Sequence, residues 1–338
     1  MFYSFLLGHV QGVAPDGALL LRVPAEDGGG EDLTVEEPVA YSGAALQALL
    51  DEVEATVVGA APPPFISSAC GACRWSQVCL PIAEERRDVS LLAGLHRRSW
   101  RDLHQRGLGT VDAVATLSLD ELLTVDGIGP ATAPRLLAHA TAFREGRAVP
   151  VDPPRLAAPG DGEVFFDIEG YSNGDVDCYY LLGLLVRRGG EYVFEYELAE
   201  RPEGEREMWL RFLERSTQCG GPVYHYGSYE KTALRRLADR YGWDPRVQHL
   251  LERCVDLHAV VKSCVALPLS GYSLKQVAPW LGYEWSGATQ AADDSILEYD
   301  HWLNTGDRQH LDHIISYNED DVRATAVVRD WLLTLSFG

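Results

Sequence analysis

Asp167 and Glu169 stand two apart in the apolar run FFDIEG, and on a strand of period two both carboxylates leave from the same face. Two carboxylates held close raise each other's pKa unless a cation compensates. Hard divalent cations such as Mg2+ or Mn2+ prefer oxygen ligands, so the pair reads either as a metal site or as the solvated end of a strand. Near the C-terminus, SYNEDDVRATAVVRDWL reads as a helix in which Tyr317 and Asp321 are four apart and share a face. Glu319 and Asp320 suit the acid-rich start of such a helix, whereas Tyr317 gains nothing from that position. Val322, Ala326 and Trp331 offer the face that would pack on a sheet.

Bringing these groups together requires a sheet and helices laid on it. EVFFDIE, CYYLLGLLVRR and EYVFEYEL are apolar or alternating runs separated by turn signals, which predicts three neighbouring strands. A helix fits residues 203–216, a buried strand fits PVYHY at 222–226, and the remainder is mainly helical. This pattern is that of an α/β or α+β domain with helices packed on a sheet. Upstream, residues 149–161 lie in a Pro- and Gly-rich stretch that reads as a linker, and residues 91–147 are helical with short Gly-containing breaks. The PPP run within 61–65 reads as a stiff extended connector. Before it come a short amphipathic helix over 2–13, strand-like ALLLRV, a Gly- and acid-rich turn, and a helix over about 43–56.

Taken together, the acids resemble the DEDD exonuclease superfamily on the RNase H-like fold, in the subgroup whose third motif is Tyr-x-x-x-Asp. Asp167 and Glu169 match its first motif, and Tyr317 and Asp321 match its third. Its second motif aligns with HYGSYE, placing His225, Tyr226, Tyr229 and Glu230, with Glu230 where the family carries Asp. The stretches CVDLHAVVK and YSLKQVAPWLGY also resemble the family, and Asp256 within the first looks structural. The resemblance covers about residues 162–335 and implies phosphodiester hydrolysis with two metal ions. It implies that Asp167 bridges both ions, Glu169 and Asp321 complete the first site, Glu230 holds the second, and Tyr317 orients the attacking water.

Ahead of that domain, LHRRSWRDLHQRGLGTVDAVATL and LDELLTVDGIGPATAPRLLAHATAF each read as helix, Gly-x-Gly hairpin, helix, with hairpins at Gly107 to Gly109 and Gly127 to Gly129. Glycines there let backbone N–H groups approach a phosphate at a helix N-terminus. The second is similar to the helix-hairpin-helix motif of sequence-independent DNA binding; a tight turn between packed helices is the plain alternative. Arg97, Arg98, Arg101, Arg106 and Arg135 are the candidate phosphate contacts, against a solvated basic face.

Cys70, Cys73 and Cys79 place three soft ligands within ten residues, a spacing suited to zinc or an iron-sulfur cluster that normally needs a fourth ligand. It resembles the C-terminal part of the 4Fe-4S staple of RecB-like and Cas4-like nucleases. YSFLLGHVQG resembles the helix that follows their catalytic motifs, which do not precede it here. The chain thus resembles the back portion of a bacterial RecB-like putative nuclease family. On that reading residues 1–85 are an incomplete RecB-like nuclease part, 90–148 are tandem helix-hairpin-helix repeats, and 162–338 form the RNase H-like exonuclease domain. The RecB-type active site is expected to be missing. Trp75, beside the cysteines, is expected to be packing, and His96, His139, His258 and His313 to be satisfied surface or core residues.

Composition bounds the rest. With 338 residues, 46% hydrophobic and 23% charged, the chain is long enough for two or three compact units. It is neither fibrous nor low-complexity. Seven unevenly spread cysteines do not form a secreted disulfide framework. No apolar run spans a bilayer and no secretory leader is evident, so a cytoplasmic protein without membrane contact is expected. The net charge of −21 argues against nucleic acid on average, but residues 1–66 hold Arg22 as their only base against ten acids, while 95–149 hold seven Arg and six acids. Only Lys231, Lys262 and Lys275 are lysines; the other bases are Arg. The expectation is a Mg2+- or Mn2+-dependent exonuclease acting on DNA or RNA. Its rivals are an inactive nucleic-acid-binding or scaffold protein and an iron-sulfur redox protein.

Overall fold

A computed structural model of the chain describes residues 10–13, 17–22, 35–40, 42–59, 63–173, 176–286 and 292–336. The expected helix over 2–13 and the Gly- and acid-rich turn therefore lie largely outside the described residues. The chain forms two compact units, Met1–Pro64 and Phe65–Gly338. In the first, strands β1 (Gly17–Arg22) and β2 (Val35–Ala40) pair antiparallel, followed by helix α1 (Gly43–Val58). The Ser42 hydroxyl caps that helix by accepting from the Ala45 amide at 3.2 Å.

The second unit begins earlier than the expected boundary at residue 85. Ile66, Leu80 and Ala83, around the cysteines and on helix α2 (Ser76–Glu85), pack into the core of the helical segment that follows. That core is built from helices α3 (Arg97–Gln105), α4 (Val111–Val114), α5 (Leu119–Leu123) and α6 (Ala133–Glu145), which meet through Leu103, Val111, Leu122 and Leu136. Ser118 and Glu121 make a reciprocal capping box at the start of α5. Both Gly-containing breaks are turns between helices. Gly127 is required in the second, because its φ is +80° and a Cβ there would lie 2.8 Å from Ser99 Oγ. Trp75 departs from expectation: it is 63% exposed rather than packed.

The expected linker is stitched down. Strand β3 (Val149–Pro150) pairs antiparallel with β9 (Val265–Ala266), and the Val151 amide donates to the Cys264 carbonyl at 2.8 Å. Buried His139 on α6 reinforces the junction, accepting from the Ala93 amide at 3.0 Å through Nδ1 and meeting the Leu269 carbonyl at 3.0 Å through Nε2. Burial pushes its pKa down to about 4, so the ring is neutral, as those partners require.

The remaining chain is a mixed five-stranded sheet in the order β6-β5-β4-β7-β8. β4 (Val164–Ser172), β5 (Asp177–Arg188) and β6 (Glu191–Leu198) form an antiparallel meander. β7 (Val223–His225) and β8 (Cys254–Asp256) continue it parallel to β4. Alternation along β4 sends Val164, Phe166 and Ile168 to one face, where α7 (Glu205–Thr217), α8 (Tyr229–Tyr241) and α9 (Pro245–Arg253) cover them. Phe165 takes the other face, against α10 (Leu257–Cys264), α11 (Leu274–Trp280) and the long α13 (Arg308–Thr334). Helix α12 (Ala292–Thr305) packs alongside α13 through Tyr299, Leu311 and Ile314. These helices sandwiching a mixed sheet are the expected α/β, RNase H-like architecture.

One buried ion pair locks α13 to the sheet. The Arg329 guanidinium, fully buried, bonds Glu163 just before β4, donates to Tyr192 Oη at 2.7 Å and lies 4.9 and 5.1 Å from the stacked rings of Phe165 and Tyr224. Burial alone would raise the Glu163 carboxyl, but the Arg329 bonds outweigh it and hold the pKa below its ordinary value.

Candidate active site

Asp167 and Glu169 leave the Phe165 face of β4 just before its bulge at Glu169/Gly170. Helix α13 crosses that face and delivers Asp321. Oxygens of Asp167, Glu169 and Asp321 lie within 4.8 Å of one another, with Glu169 and Asp321 buried and Asp167 partly so. Tyr317, one turn earlier on α13, is buried against the same cluster and interacts with Asp321. Burial foremost, then the Asp321 charge, raises the pKa of its phenol, so near neutrality it is a neutral hydroxyl able to donate. Glu319 and Asp320 do not open a helix as expected, since α13 begins at Arg308. Asp320 is buried and holds the preceding loop: it accepts from the Ser286 amide at 2.8 Å, Ser286 Oγ at 2.9 Å and Tyr283 Oη at 3.0 Å.

Each carboxylate has a partner fixing its direction. Asn318 Nδ2 donates to Asp167 at 2.7 Å, and Ser295 Oγ donates to Glu169 at 2.7 Å. Asp321 Oδ1 accepts from both Lys275 Nζ at 2.7 Å and Trp285 Nε1 at 2.6 Å. The Asp167 pKa is raised by burial first and then by the charge of Glu169. That of Glu169 is raised by burial and by Asp321, against the lowering effect of its Ser295 bond. Acids raised by one another in a closed site are those a cation would return to the ionised form. The donor set, three carboxylates, fits a hard divalent ion.

The family follows from these elements read in order. A family model described as the RNase H superfamily matches residues 164–333, half of the chain. The chain belongs to the RNase H superfamily. A search of curated proteins finds no match. The RNase H superfamily domain thus spans all five strands of the sheet and helix α13, and contains the acidic triad.

The other expected positions are placed differently around this RNase H superfamily core. Glu230, at the start of α8, is buried but outside the triad; its Oε2 lies 3.5 Å from Nδ1 of fully buried His225. Tyr226 Oη donates to the Tyr272 carbonyl at 2.7 Å, and Tyr229 is half exposed, edge-on to Tyr179. Asp256 caps α10 through the His258 and Ala259 amides at 2.9 and 3.3 Å and also accepts from the Gly227 amide. Among the described residues, the acidic triad is the one group of three or more ligands that converges. Cys70, Cys73 and Cys79 do not; the Cys70 thiol instead accepts from the Ser67 amide at 3.4 Å.

On the helical segment, Gly127 and Gly129 occupy the turn before α6. Arg98 pairs with Asp126, Arg106 with Asp102, and Arg135 with Asp152 at 3.6 Å and the Lys262 carbonyl at 3.1 Å. Arg97 lies over the Phe65 ring at 5.3 Å. The basic face expected there is in large part paired with acids of the same chain.

Sequence reasoning missed Lys275, Trp285, Asn318 and Ser295. Lys275 did carry a signal, being one of three lysines where every other base is Arg. The others were masked by ordinary helical and loop contexts.

Proposed function

We propose that the chain is a divalent-metal-dependent nuclease that hydrolyses phosphodiester bonds of DNA or RNA, working as an exonuclease. The observation that carries this reading is the convergence of Asp167, Glu169 and Asp321 within 4.8 Å between β4 and α13. A divalent ion held by those three residues would supply charge neutralisation and a more acidic water. Around it the chain's own groups have definite tasks. Asn318 and Ser295 aim the Asp167 and Glu169 carboxylates, and Tyr317 offers a hydroxyl that orients the attacking water. The helix-hairpin-helix segment, through Gly127, Gly129, Arg97, Arg98 and Arg135, would deliver the strand by its phosphates. The RecB-like resemblance supports reading the N-terminal part as the end of a second nuclease module. No helix among the described residues is long and apolar enough to cross a membrane.

Glu230 motivates the second reading, an inactive nucleic-acid-binding protein, because it stands outside the converging triad, with Oε2 3.5 Å from His225 Nδ1. End-labelled single-stranded DNA, duplex DNA and RNA, digested with Mg2+ or Mn2+, separate the two. Stepwise products that vanish in Asp167→Ala and Asp321→Ala identify the exonuclease and its substrate. Equal inactivity of folded wild type and variants, with nucleic-acid binding retained, identifies the scaffold.

A further inference from the structure

We infer that Lys275 is a resident cation of this site, its ammonium taking the place of a second divalent ion at Asp321, so that the chain binds a single metal ion. The inference rests on the metal-dependent reading above and specifies its ion count. Lys275 Nζ lies 2.7 Å from Asp321 Oδ1, an oxygen that also accepts the Trp285 indole N–H at 2.6 Å. The same ammonium sits over the Trp285 ring at 3.9 Å and the Tyr317 ring at 4.2 Å, so two aromatic faces and a carboxylate grip it from separate directions.

The cage is itself anchored. Ser273 and Gln276 form a capping box that starts α11 around Lys275, while Asp320 holds Ser286 and Tyr283 on either side of Trp285. A lysine placed for solvation alone would need neither the ring faces nor the shared carboxylate oxygen.

Charge arithmetic points the same way. Three carboxylates, one divalent ion and one ammonium sum to zero, whereas a second divalent ion beside Asp321 would meet the ammonium at short range. The fourth carboxylate that a second ion would need, Glu230, is buried near enough for its charge to act on Asp167 and Glu169, so it is the ammonium, not the lack of an acid, that stands in a second ion's way. The task of offsetting charge on the phosphate, which a second ion performs in two-ion sites, then falls to a fixed ammonium.

The test is the number of ions, independent of turnover. The full chain, stripped with chelator, is titrated with Mn2+ by calorimetry and by the electron paramagnetic resonance signal of free Mn2+. Counted ions are those lost in Asp167→Ala. Wild type and Lys275→Arg should bind one ion, and Lys275→Met and Lys275→Gln should bind two, with melting by circular dichroism confirming folded protein. Two ions in wild type, or one ion still in both neutral variants, overturns the inference alone. No Mn2+ bound by wild type overturns it together with the metal-dependent reading.

Discussion

The Asn318 carboxamide lies directly over Gly183, the residue facing Asp167 across the β4–β5 ladder. A Cβ at position 183 would fall 1.6 Å from Asn318 Oδ1. Asn318 is fully buried and its Nδ2 donates to Asp167 at 2.7 Å, so the missing side chain on β5 makes room for the group that aims the first acid of the site. Gly183→Ala should destabilise the fold by about 1–3 kcal/mol, the usual range for overpacking, and should weaken Mn2+ binding. Adding Asn318→Ala should relieve the clash, so that urea denaturation of the double variant shows less than the summed loss. Additive losses would show that the two positions do not meet.

The triad makes the metal-free fold sensitive to alkali. Asp167 and Glu169 have folded pKa values raised above their ordinary ones, chiefly by burial. Their contribution to stability is therefore fully present below the unfolded carboxylate range and is lost as pH rises through the raised values. Metal-free protein should melt lower at pH 8 than at pH 6. Asp167→Asn should recover on the order of 1–3 kcal/mol at the higher pH, since a tenfold change in proton affinity is worth about 1.36 kcal/mol. Saturating Mn2+ should reverse the trend, stabilising by about 2.7 kcal/mol at a hundredfold excess over Kd. Calorimetric melts across pH, with and without the ion, check both signs.

Arg329 should be the most sensitive structural position. Arg329→Leu leaves Glu163 buried without its partner and should lower stability by about 3–5 kcal/mol, whereas replacing Glu163 by Leu as well should restore much of it. Glu163, with its lowered pKa, acts in the opposite sense to the triad: its contribution is present above the unfolded value and is lost as pH falls through the folded one. Urea denaturation of the single and double variants measures the pair.

Two neighbouring aspartates outside the triad should separate by readout. Asp256→Ala removes a helix cap and should lower stability by about 1 kcal/mol while leaving Mn2+ affinity unchanged. Asp320→Ala removes the acceptor for Ser286 and Tyr283 and frees the loop that presents Trp285 to Asp321. Its Mn2+ affinity should change, and hydrogen exchange at residues 283–286 should quicken. Unaltered exchange there would show that Asp320 does not hold the loop.

Strands β4 to β7, the sheet class and the first and third acidic motifs were legible in the sequence, whereas β8, in a stretch read as mainly helical, was not. These are local: period-two alternation puts Asp167 and Glu169 on one face, and i, i+4 spacing puts Tyr317 and Asp321 on another. Two halves that each point acids at one face suffice to suggest a metal site. Which groups stand between the acids depends on the packing of distant elements. Asn318 reaches Asp167 across 151 positions of chain, and Lys275 and Trp285 reach Asp321 from a separate helix and loop. Nothing in their local periodicity marks them, because their partners are set by how α11 and α13 cross the sheet. The same reason places Glu230 outside the triad. Its position in a motif follows from sequence order, but how near its carboxylate comes to the other acids follows from the packing of α8 against the sheet.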